Sequence, residues 1–373
     1  MIDYKPNVLC PRWVNLGRTL RLWLNLLLFM LLACPTLSRA EHDHQNEYFN
    51  YHWGRGLNIP ALNLNVGGYF KASYRRIEAS EHNNVQLDDL SLFITWTPHD
   101  RLRIFAEIEQ HNWLSNDGVA QFSKGLSIER LFAEFLLNET STLRFGKYLT
   151  PVGRWNVIHS APLVWTTNRP KITDDLTFAP RANGLLLTHS RLINDHNLDV
   201  SVYLDDSTDL EPRSINNIVF HKAAGARVNY ELTEQFQIGG SYLAYQKLSD
   251  VGLPTHHLFG IDALWQHEGY EVLFESLYHT QEAQIDTLNL EEKGLFVQGV
   301  APLGGKVFAV ARYEYFNSNI FQSFNQEKET HIGLGGLAWR PYVPLVLKAE
   351  YRFGDNNRII APSGFFLSLA TFF

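Results

Sequence analysis

The chain has 373 residues, of which 45% are hydrophobic, 13% aromatic and 19% charged, with 32 Lys and Arg against 39 Asp and Glu for a formal charge of −7. No basic bias points to nucleic acid, and two cysteines (Cys10 and Cys34) are too few for a disulfide framework. The one long apolar run, Leu22 to Leu32, falls short of the roughly 18 residues a spanning helix needs, so a helical membrane protein is excluded.

The chain begins with an export-signal pattern. Arg12, Arg18 and Arg21 precede that apolar run, and Ser38-Arg39-Ala40 puts small residues where a signal peptidase inspects them, so residues 1–40 are expected to be removed after Ala40. Leu31-Leu32-Ala33-Cys34 offers the alternative of acylation at Cys34. Cleavage at Ala40 removes both cysteines, five basic residues and one acid, leaving 27 basic and 38 acidic residues and a formal charge of −11. Residues 41–61 are expected to form a short periplasmic segment ahead of a barrel spanning 62–373.

From residue 62 the chain alternates. In 62–76, Leu62, Leu64, Val66, Gly68, Phe70, Ala72 and Tyr74 share one face, while Asn63, Asn65, Lys71, Ser73 and Arg75 share the other. Fifteen residues at period two are a strand, not a helix stripe. The next strand, 86–97, turns Leu90, Leu92, Ile94 and Trp96 outward, and Pro98-His99-Asp100 leads into 101–110, where Arg103, Glu107 and Glu109 face inward. Further strands are expected at 128–137, 142–148, 181–190, 197–204, 223–231, 236–246, 258–266 and 270–279, then at 294–301, 306–316, 331–340, 345–353 and 365–373. That makes sixteen.

Connections alternate between short turns and long loops, the long ones at 77–85, 111–127, 149–180, 205–222, 247–257, 280–293, 317–330 and 354–364. This is the grammar of an antiparallel up-and-down transmembrane β-barrel, apolar toward lipid and polar toward the lumen, with short periplasmic turns and long extracellular loops. A soluble β-sandwich has neither strict loop alternation nor apolar outward faces. Sixteen strands leave a water-filled channel.

Family resemblance rests on three segments. Leu143-Arg144-Phe145-Gly146-Lys147-Tyr148-Leu149-Thr150-Pro151-Val152-Gly153, ahead of Trp165 to Pro170, resembles the strand-to-loop segment of porins related to the phosphate-selective O and P family. Ala311-Arg312-Tyr313-Glu314-Tyr315-Phe316 resembles a later strand of that family, and the final strand, closing on Phe373, resembles the signal read by the outer-membrane assembly machinery. The resemblance implies a passive outer-membrane channel, commonly a homotrimer. Its longest loop, 149–180, would fold inward as a constriction, and basic side chains would attract anions.

Candidate pore-lining residues are Arg144, Arg154, Arg169, Lys171, Arg181 and Arg312, with Glu107 and Glu314 among the inward acids. These cations either present a positive constriction or pair with Glu107, Glu109, Glu134, Glu314 and Glu350. A formal charge of −11 dilutes any basic ladder, so a general porin for ions and small hydrophilic solutes is expected in place of a phosphate-specific one.

Catalysis gains little support from sequence. A barrel lipid hydrolase or protease is the alternative, with His159-Ser160 and His189-Ser190 as nearest candidates, yet neither sits in His-x-Ser-Asn-Gly. His42-Asp43-His44 and His256-His257 lack the flanking pattern of a metal site, so no metal, catalytic residue or cofactor is expected. A plugged transporter would need about 22 strands and a folded plug, for which 41–61 is short.

Overall fold

A computed structural model describes residues 49–78, 83–115, 126–158, 160–173, 178–206, 219–250, 252–282, 290–319, 329–354 and 361–373. The expected signal segment, its cleavage site, both cysteines and His42-Asp43-His44 lie outside the described residues.

Two short strands, β1 (Asn50–His52) and β2 (Gly56–Ile59), form an N-terminal hairpin. Long strands follow: β3 (Leu64–Ile77), β4 (Asn84–His99), β5 (Leu102–Ser115), β6 (Leu126–Asn138), β7 (Ser141–Leu149), β8 (Arg181–Ile193), β9 (His196–Asp205) and β10 (Phe220–Thr233). The chain then runs through β11 (Phe236–Lys247), β12 (His256–His267), β13 (Tyr270–Gln281), β14 (Glu291–Gly304), β15 (Val307–Ser318), β16 (Glu329–Tyr342), β17 (Leu345–Gly354) and β18 (Gly364–Phe372).

Each of β3 to β18 pairs antiparallel with its sequence neighbour, and β18 returns to β3 from Gly364 opposite Ile77 to Phe372 opposite Tyr69. The sheet therefore closes on sixteen strands, which leaves no unpaired edge for lipid to meet. Gly68 and Phe373 complete the seam by exchanging backbone hydrogen bonds of 3.1 and 2.9 Å. The hairpin lies outside that count, with β2 pairing along β3 from Leu57 opposite Val66 to Ile59 opposite Leu64.

Side-chain phase follows the alternation. On β18, Phe365 and Leu367 are exposed outward whereas Phe366, Ser368 and Ala370 are buried inward. The outer face carries a belt of exposed apolar residues, including Leu92, Phe145, Leu185, Val202, Val228, Ile261, Val297 and Leu337. Trp96 and Trp339 stand exposed toward the short-turn rim, where amphipathic rings suit a membrane interface. Short turns use the mirror-image geometry that matches strand twist: Asn194 and Asp195 have φ of 50° and 65° between β8 and β9, and Glu268 and Gly269 have 48° and 87° between β12 and β13.

The segment between β7 and β8 enters the barrel. Val152, Trp155, Ile172 and Phe178 from it are buried against inward Tyr148, Leu243, Leu273 and Phe296. Its middle packs separately, Ala161 and Trp165 lying against Val300, Val310, Ala338 and Val346. Burying a side chain of this size stabilises by about 1.5 to 3 kcal/mol, so the loop is held by packing as well as by polar contacts.

Candidate functional site

Three carboxylates on alternate strands hold the inserted loop by its backbone. Glu275 of β13 accepts from the N–H groups of Arg154 and Trp155 at 2.9 and 3.1 Å. Glu314 of β15 accepts from the Lys171 N–H at 2.6 Å. Glu350 of β17 accepts from the N–H groups of Thr167 and Asn168 at 2.8 and 3.3 Å and from the Asn168 side chain at 2.8 Å. Cations reinforce the clamp: Lys348 donates to the carbonyls of Ala161 and Thr166 at 2.8 and 3.1 Å, and Arg340 donates to those of Pro162 and Leu163. The loop thus lies against the β11–β18 wall.

Near its start, at Gly153, the loop passes close against that wall. With φ of +62° this residue is left-handed, and an added Cβ would sit 1.8 Å from Glu275 Oε1. Only glycine allows both the turn and the approach. The next side chain, Arg154, spreads over β10, β11 and β12, reaching Asn229 at 2.7 Å, Gln237 at 2.9 Å and Asp262 at 3.3 Å. Arg227 shares Asp262 in a two-pronged contact of 2.7 and 3.0 Å. Burial draws the Arg154 pKa down from its ordinary value, and the charge of Asp262 opposes that drop.

The opposing wall, β3 to β8, carries partly exposed cations over carboxylates. Arg103 and Arg144 both hold Glu134 at 2.5 Å, Arg130 pairs with Glu107, and Arg181 pairs with Glu129. Lys71 and Arg75 share Asp88 at 3.2 and 3.3 Å. Beneath the guanidinium groups runs an aromatic row, Tyr69, Phe93, Phe105 and Phe132, with ring centroids 5.7, 5.8 and 5.3 Å apart. Arg130 lies 4.7 Å over Phe105 and Arg144 lies 4.2 Å over Phe132, so cation–π contact fixes the planes of both guanidiniums.

The candidate residues therefore divide into two sets. Arg144, Arg181 and Glu107 belong to the wall opposite the loop, where the accessible cations are. Arg154, Arg169 and Lys171 lie on the loop itself. Arg312 and Glu314 form a fully buried pair at 2.8 Å beneath it, and Arg312 also donates to Thr166 Oγ1 at 2.6 Å, so both act as loop supports. Arg103, Arg130 and Arg75 were not among the candidates, although the inward phase of β3 and β5 already marked Arg75 and Arg103.

The histidine–serine pairs do not assemble a triad among the described residues. His159 lies outside them; His189 Nδ1 meets Ser141 Oγ at 3.0 Å, while Ser190 donates to Asp199 at 2.5 Å. His256 is buried at the start of β12, 3.0 Å from His279 and 2.6 Å from Asp250, with His279 held in turn by Glu292 at 3.0 Å.

No family model matches the chain. An uncharacterized protein of Aquifex aeolicus (strain VF5) is 20% identical over 328 residues, which are 77% of this chain and 75% of that protein. Among solved structures, OmpF of Salmonella typhi in complex with daunomycin superposes with a TM-score of 0.62 at 13% identity, covering 83% of this chain and 97% of that one. An anion-selective porin from Comamonas acidovorans gives 0.60 at 12% identity, covering 83% of this chain and 99% of its own. At these identities the likeness is one of fold: the chain is a closed sixteen-stranded barrel of the kind seen in outer-membrane porins.

Proposed function

We propose that the chain is an outer-membrane porin, a passive channel for ions and small hydrophilic solutes, and that its lumen attracts anions. The observation that carries the anion reading is the order of burial within the ion pairs. Arg103 is 47% exposed over Glu134 at 15%, and Arg130 is 21% exposed over Glu107 at 0%. Arg75, Arg144, Arg154, Arg181 and Arg227 likewise stand more exposed than their carboxylates. A permeating ion meets the guanidiniums first, whatever the net charge of the chain. Two cations, Arg103 and Arg144, also share the one carboxylate of Glu134, which leaves positive charge over there.

Paired guanidiniums hold an anion loosely enough to release it, as conduction requires. No phosphate preference is proposed, because Arg144, Arg154, Arg181 and Arg312 each sit against a carboxylate. The apolar outer belt makes outer-membrane lipid the surrounding phase, the terminal strand is the element that assembly machinery would engage, and a homotrimer is the assembly implied by the resemblance. The Anion-selective porin from Comamonas acidovorans is a neighbour in fold and agrees with this reading.

Replacing Arg103 and Arg144 together by glutamine tests the proposal in planar bilayers. The reversal potential across a salt gradient is expected to move toward cations, most at low salt, where the Debye length reaches about 30 Å at 0.01 M. An unchanged permeability ratio in a folded double variant would show that these side chains serve structure alone.

A further inference from the structure

On the inner wall toward the long-loop ends of β4 and β5, three donor atoms converge. His111 Nδ1 lies 3.2 Å from Asp89 Oδ1 and 3.5 Å from Glu109 Oε1, and the donor atoms of all three residues fall within 4.8 Å of one another. Strand pairing brings this about: Asp89 stands opposite His111 in the register, and Glu109 lies two residues back on the same face of β5. Glu109 is buried and accepts from Tyr69 Oη at 3.2 Å.

The other ring nitrogen is held separately. His111 Nε2 lies 3.4 Å from Glu129 Oε1 on β6, and Glu129 is itself fixed by Ser127 Oγ at 2.8 Å and by Arg181. A neutral imidazole that donates its Nε2–H to Glu129 would turn the Nδ1 lone pair toward Asp89 and Glu109. A carboxylate behind a histidine whose other nitrogen faces further ligands is the arrangement that orients imidazole on a metal.

Two occupants compete for the space between these atoms, a proton or a metal ion. A protonated imidazole would make one charge-assisted bond of about 2.7 to 2.9 Å, and a single Nδ1–H points at one acceptor. The observed separations are longer and are shared between carboxylates from two strands. Ligand atoms at about 2.0 to 2.2 Å from a tetrahedral zinc ion lie about 3.3 to 3.6 Å from each other. The two separations from Nδ1, 3.2 and 3.5 Å, lie close to the second case.

The geometry points to a binding site for a divalent transition-metal ion of the zinc class, with His111 Nδ1, Asp89 and Glu109 as ligands, water completing the shell and Glu129 as a positioning residue. An imidazole in the set favours zinc over calcium or magnesium, which take oxygen ligands. Lys71 approaches Asp89 through the other oxygen, at 3.8 Å from Oδ2, and leaves Oδ1 facing the histidine. Metal binding here stands independently of the channel reading, and its failure would leave that reading untouched.

Calorimetric titration of zinc into the refolded full chain in detergent tests the site, in a background where His42→Ala and His44→Ala remove the N-terminal histidines. One zinc ion per chain is expected. His111→Ala should weaken binding at least tenfold and Glu129→Gln tenfold to a hundredfold, whereas His331→Ala on a distant strand should leave it unchanged. Calcium and magnesium should not compete. Absence of binding up to about 1 mM zinc would overturn the site, as would unchanged affinity in His111→Ala whose heat-modifiable migration shows a folded barrel. If His111→Ala does not fold, Asp89→Asn decides: full affinity in a folded Asp89→Asn overturns the proposal.

Discussion

Gly153→Ala is expected to raise the single-channel conductance of a barrel that still folds. The new methyl would occupy the place of a Glu275 oxygen, 1.8 Å away, and would also force alanine into a left-handed conformation. Glu275 must then withdraw from the Arg154 and Trp155 N–H groups, two charge-assisted hydrogen bonds worth about 1.5 to 3 kcal/mol each. The loop start loses its hold on β13 while Glu350 and Glu314 keep the later segments in place. Conductance traces should show larger and noisier openings than wild type. Conductance equal to wild type in a folded Gly153→Ala protein would mean that the loop does not limit the pore.

The second large effect concerns the outer face. Ile261, in the middle of β12 and 60% exposed, should cost about 2 to 4 kcal/mol when replaced by arginine, because a guanidinium at mid-bilayer depth loses its water. Leu303, equally exposed but at the short-turn end of β14, should cost only about 0 to 1 kcal/mol, since depth sets the penalty. Urea unfolding of the refolded barrel in lipid vesicles reads both. Equal, small costs at the two positions would mean that this face does not meet lipid. Ser368 is a poor inward control for such a series: it faces the lumen but meets Thr167 Oγ1 of the loop at 2.9 Å, so an arginine there would displace the loop.

Much of the barrel was legible because a strand crossing a bilayer must alternate for as long as lipid lasts. The expected 236–246 and 345–353 became Phe236–Lys247 and Leu345–Gly354. Where the alternation loses its apolar half the sequence falls silent although pairing continues: β5 was expected to end at 110, yet it runs on to Ser115 through His111 and Asn112. The N-terminal hairpin escaped notice for a related reason. Strands of three and four residues are too short to show a period, and their turn depends on Gly54 and Gly56 at φ of 84° and 79°.

The site was legible in composition and not in arrangement. Length and resemblance singled out 149–180, and the loop does enter the barrel, but no pattern along the chain tells Glu350 to accept from Thr167, 183 residues away. Arg312 and Arg144 looked alike as inward cations; one is sealed beneath the loop and the other looks into the lumen. The same holds for the pairing of opposite charges. Sequence shows that acids and bases share the inner face, whereas which partner of a pair lies deeper, Glu134 below Arg103 but Arg312 below Glu314, is a property of the closed barrel alone.

The wild-type reversal potential separates an anion-attracting lumen from a cation-attracting one. With the chain reconstituted in a planar bilayer under a potassium chloride gradient, the zero-current potential is expected to take the sign set by chloride, to be of moderate size and to grow as salt is lowered. A potential of the opposite sign, set by potassium, would mean that the lumen attracts cations instead.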